Sequence, residues 1–103
     1  MSAIHERRYR LQREREVAQK RVRQTTLQYV ERYENIINDL VQQGLSQYVR
    51  EDIQLIQSQI NEIRSIATRN AFEARELSIQ VGQRIHALPR IARQLAQVEE
   101  HNA

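Results

Sequence analysis

No cysteine occurs in this sequence, which removes disulfides and thiol chemistry and fits a reducing compartment. Proline occurs once and glycine twice, so there is little turn chemistry to punctuate the chain. Tryptophan is absent and aromatic residues make up 5% of the total, too few large rings to fill the core of a compact globule. No apolar run approaches the roughly 18 residues that span a bilayer. The N-terminus lacks the apolar stretch of a secretory signal, and Glu6, Glu14 and Glu16 argue against a transit peptide. These absences predict a soluble, cytoplasmic chain of one domain, with no membrane contact.

What is present is helical. Gln, Arg and Glu dominate, and the apolar residues fall in stripes. From Val49 to Leu88 they recur in steps of four and three: Val49, Ile53, Ile56, Ile60, Ile63, Ala67, Ala74, Leu77, Val81 and Leu88. Asn70 and Arg84 fill the two polar slots. This is a heptad seam on one side of an α-helix, and the alternation by two that marks a strand is missing. A polar residue in such a seam can fix register, or can simply face water or Lys20 at a looser end.

Residues 3–43 predict a first long helix, free of Gly and Pro. Its C-terminal half carries two adjacent stripes, one of Val22, Thr26, Tyr29, Tyr33, Ile36 and Leu40, the other of Leu27, Val30, Ile37 and Val41. A face that wide suits contact with more than one neighbour. Its first 21 residues carry a thinner stripe of Ile4, Leu11 and Ala18. Gly44-Leu45-Ser46 predicts a turn. Gly44 suits the left-handed position past a helix end, Leu45 would fold back onto the last turn, and Ser46 would cap the next helix. The second helix is then expected over about 47–98. Pro89 would kink it, or would stand in the first turn of a separate short helix.

The expected fold is all-α: an antiparallel coiled-coil hairpin. Folding at the turn pairs Val41 with Val49, Ile37 with Ile53, Val30 with Ile60 and Leu27 with Ile63. Toward the open end it brings Leu11 to Ile79 and Ile4 to Ile85. Each helix has a second apolar edge, on the second helix Leu55, Ile66, Phe72 and Ile79, and Leu27, Val30, Ile37 and Val41 of the first are also expected to reach a partner. A lone helix pair buries little surface. These eight residues are therefore the expected interface of a homo-oligomer, a dimer of hairpins forming a four-helix bundle.

Charge is unevenly spread. Residues 1–24 hold eight basic side chains against three Glu, although the whole chain is only +3. Arg7, Arg10, Arg13, Arg21 and Arg23 are candidate anion-binding residues, because the guanidinium suits phosphate and carboxylate. The hairpin would bring Arg84, Arg90 and Arg93 to the same end. Nothing points to catalysis. There is no glycine-rich phosphate loop, and Tyr9 stands where a helical zinc motif beginning at His5 needs its second His. Glu51/Asp52 and Glu99/Glu100 are sequence neighbours, about 100° apart on a helix, so neither makes a dyad. His5 and His86 would meet only across the open end. The sequence therefore predicts no catalytic residue, metal or cofactor. It predicts a non-enzymatic assembly module that binds other helical proteins, with a nucleic-acid-binding helical dimer as the alternative.

Overall fold

A computed structural model describes residues 2–102. The chain is all-helical, and no strand occurs among the described residues. Helix α1 spans Ser2–Gln42, a 3-10 turn spans Ser46–Val49, and α2, α3 and α4 span Arg50–Ala67, Ala71–Ile85 and Leu88–Asn102. The molecule is a rod of 79 × 18 × 15 Å.

The turn at Gly44 forms as its residues predict. Gly44 has φ +71°, where a Cβ would be strained. Its N–H donates to the Val41 carbonyl at 3.1 Å, and the Leu45 N–H reaches back to the Leu40 carbonyl at 2.9 Å. This pair of bonds is a Schellman closure, and Leu45 folds onto the core beside it. Ser46 does not cap the next helix. Leu45 and Val49 occupy the capping positions, neither with a side-chain bond, because a 3-10 turn intervenes before α2.

The second half departs from the predicted continuous helix. It breaks at Thr68-Arg69-Asn70 and reverses. The Asn70 N–H closes α2 on the Ile66 carbonyl at 2.7 Å, and the Asn70 side chain accepts the Glu73 N–H at 3.2 Å, capping α3. Asn70 is thus a helix cap, not a polar residue in a seam. A three-residue turn hides in the sequence because Ala67, Ala71 and Ala74 keep the four-three spacing across it. A second break at His86-Ala87 separates α3 from α4, and Pro89 stands in the first turn of α4. There its missing N–H costs nothing, so of the two expectations for Pro89 the separate helix holds. That helix continues past residue 98 to Asn102.

Because α3 doubles back, it packs against both α2 and α1, antiparallel to the first and parallel to the second. The bundle joins α2 and α3 to the C-terminal half of α1, with α4 lying beside the 3-10 turn. Tyr33, Ile37, Ile56, Ile63, Val81 and Ile85 are among the residues of its continuous core. Two polar links tie α1 to α2: the Arg64–Glu34 ion pair, and the Arg23 Nε–H donating to the Ala67 carbonyl at 2.6 Å. The pairings expected at the open end, Leu11 with Ile79 and Ile4 with Ile85, do not form. The second half turns back at residue 68, before it reaches them.

Candidate interaction surface

Two features remain once the core is assembled. The first is the N-terminal part of α1. Every residue from Ala3 to Ala18 is exposed, because α2 ends opposite Arg23 and no other element among the described residues continues beyond it. About 20 residues of helix, roughly 30 Å, project as an arm. The arm bears Ile4 and Leu11, 62% and 50% exposed, and Tyr9 and Val17 besides.

The second is a groove of about 580 Å³ between α1 and α3. Its floor explains its depth. Gly82 and Ser78 let α3 approach α1 closely, and Tyr33 fills the space a side chain would take. The Tyr33 hydroxyl donates to the Ser78 carbonyl at 2.9 Å, and the ring meets His86 edge to face at 6.1 Å. Burial raises the Tyr33 phenol above its ordinary value, with nearby Tyr29 adding to the shift and Arg32 opposing it. The walls are mixed: Val22 and Tyr29 from α1 and Ile79 from α3 are apolar or aromatic, and Thr25 and Gln83 are polar. Tyr29 and Ile79 remain 43% and 46% exposed. Arg21 and Arg75 stand at the arm end. The groove continues along the arm as a shallower depression that shares Arg21 and Val22 and adds Val17 and Ala18. Beyond the other end lies a small pocket between α1 and α4, formed by Ile36, Leu40, Pro89 and Arg93 among others.

The expected interface residues divide. Val30, Ile37 and Ile66 are buried in the chain's own bundle, and Leu27 packs half-buried against it. Folding α3 back gives these side chains partners within the chain. Val41, Leu55, Phe72 and Ile79 remain exposed, and of these only Ile79 lines the groove. The candidate anion-binding residues divide too. Arg7, Arg10 and Arg13 are exposed on the arm, and Arg21 is exposed at the groove mouth. Arg23 is half-buried, its Nε–H held by the last carbonyl of α2, where a cation also suits the negative end of the helix.

Arg84, Arg90 and Arg93 do not join them. Parallel packing of α3 on α1 carries these residues away from the arm, to the α4 end. His5 and His86 stay apart for the same reason: His5 is on the arm, while His86 packs on Tyr33.

Sequence reasoning missed the groove. Its signals were present in Ser78 and Gly82, two small residues four apart, and in Asn70 followed three residues later by Glu73, which marks a helix start. Compared with known proteins, the chain matches no family model, no curated protein and no solved structure. No helix among the described residues is long and apolar enough to cross a membrane.

Proposed function

We propose that this chain is a non-enzymatic assembly module, a scaffold, adaptor or structural subunit that docks helix against helix. The observation that carries this reading is the arm. Residues 3–18 are exposed along their whole length, yet they carry an apolar stripe. An isolated helix of that length is marginal in water and gains its stability from packing an apolar face. A helical protein laid along the arm would supply that packing. Entering the α1/α3 groove, it would complete a four-helix arrangement with a helix the chain itself lacks.

A nucleic-acid reading has one observation in its favour: Arg7, Arg10, Arg13 and Arg21 are exposed on the arm. Glu6, Glu14 and Glu16 interrupt that row, and Tyr9 is the one aromatic side chain on the arm for base stacking. The test is a fluorescence-anisotropy titration with duplex DNA and RNA at two salt concentrations. The assembly reading expects weak binding without a preferred site. Binding tighter than about 1 μM near physiological salt exceeds ordinary non-specific attraction. If such binding were lost in Arg7→Ala/Arg10→Ala with the fold intact, the nucleic-acid reading would replace the assembly one.

A further inference from the structure

The apolar stripe of α1 has a symmetry that neither the arm nor the groove shows alone. Ile4, Leu11, Ala18, Val22, Tyr29 and Ile36 lie within about 40° of one another around the helix. They also read the same in both directions from Lys20. Ala18 and Val22 stand two residues away, Leu11 and Tyr29 nine, Ile4 and Ile36 sixteen. The first three belong to the bare arm, and the last three line the groove and the pocket beyond it. A stripe that mirrors itself about one point is complementary to its own copy laid antiparallel.

We propose that the α1/α3 groove is filled by the arm of a second copy of this chain, antiparallel to α1, with the two-fold axis passing near Lys20. The proposal rests on the assembly reading and names its partner. The partner's Leu11 meets Tyr29 and the Ile79 rim, the partner's Ala18 meets Val22, and the partner's Ile4 reaches the pocket beside Ile36 and Pro89. Each arm fills the other copy's groove, so the site is incomplete without the second copy. The contact is isologous and closed, giving a dimer and no filament. The overlap, residues 4–36 in both copies, is about 50 Å long.

Charge favours this orientation over a parallel one. Parallel pairing would lay the eight basic residues of one copy's first 24 positions along the same eight of the other. Antiparallel pairing lays each arm along residues 25–39, which hold a single basic side chain, Arg32. Like charges side by side oppose association, and opposite ones steer it.

The chain has no cysteine, so single cysteines carrying nitroxide labels report distances without background. Gln12, Gln24, Gln28 and Asn35 are exposed and lie off the stripe. Dipolar electron resonance on the full chain should give separations that are smallest near residue 20 and grow by about 3 Å per residue on both sides. The axial components are then roughly 12 Å for Gln24, 24 Å for both Gln12 and Gln28, and 45 Å for Asn35. Leu11→Asp should abolish the coupling at every site and leave the bundle folded, its melting lowered only by the loss of the second copy's arm, because Leu11 is exposed on the arm of its own chain. Similar separations at all four sites would mean parallel helices and overturn the proposal. No coupling at micromolar concentration would overturn it too. The broader assembly reading stands or falls separately, on the nucleic-acid titration.

Discussion

The Tyr33 hydroxyl lies 2.5 Å from the point where a Cβ on Gly82 would sit, and the Tyr33 Cζ lies 3.2 Å from it. The ring cannot swing aside freely, because its hydroxyl is bonded to the Ser78 carbonyl one turn away on the same helix. Gly82→Ala should therefore destabilise the bundle by about 1–3 kcal/mol, as overpacking does. The better helix propensity of alanine, worth about 1 kcal/mol, offsets only part of that. In a double-mutant cycle the cost should shrink when Tyr33→Phe removes the hydroxyl. Additive effects in urea denaturation would show that the two residues do not meet.

Tyr33 also makes a pH prediction. Burial raises its phenol above the unfolded value of 10.0. The folded state then holds the proton more tightly than the unfolded state. The resulting stability is fully present below about pH 10 and lost as pH rises through the folded value. Near neutrality Tyr33→Phe should cost about 1 kcal/mol, the net value of one hydrogen bond. By about pH 11 the difference between wild type and variant should narrow, since only the wild type carries this titration. A difference that widens with pH would contradict a buried, hydrogen-bonded phenol.

Asn70→Ala decides how the second half of the chain is built. Where Asn70 caps α3 through the Glu73 N–H, the change should cost about 1 kcal/mol in urea denaturation, with a range near 0.5–2. In one uninterrupted helix, alanine would instead be neutral or stabilising at that position. Gain of stability in the variant would restore the continuous helix that the seam predicts.

The contrast shows what a heptad pattern can report. The spacing of Ile53, Ile56, Ile60 and Ile63 correctly marks a buried face, and all four residues are in the core. Spacing does not say which element covers that face, or where the chain turns. Gly44 announces its turn because left-handed backbone nearly requires glycine. The turn at Thr68-Arg69-Asn70 needs no positive φ and preserves the stripe, so periodicity runs straight through it. The arm's apolar stripe and its exposed arginines were legible in the sequence. That the arm stands alone was not, because this follows from where α2 stops. The groove was not legible for a related reason: it exists only once α3 folds back beside α1.

The interior of the bundle gives a local check. Ile60 is 2% exposed on α2, so Ile60→Ala should cost roughly 2–5 kcal/mol, by lost transfer energy plus a cavity. Gln57→Ala, exposed on the same helix, should stay within about 0.5 kcal/mol. Equal effects in thermal or urea unfolding would mean that α2 presents a different face to the core.

Sedimentation equilibrium of the full chain at micromolar concentration tests the central claim, assembly through the arm, most directly. Wild type should give the mass of a dimer, twice 12.3 kDa. Leu11→Asp should sediment as a monomer that keeps its helical content and still unfolds cooperatively, since Leu11 is exposed on the arm. A wild-type protein that stays a compact, cooperatively folded monomer would contradict the account.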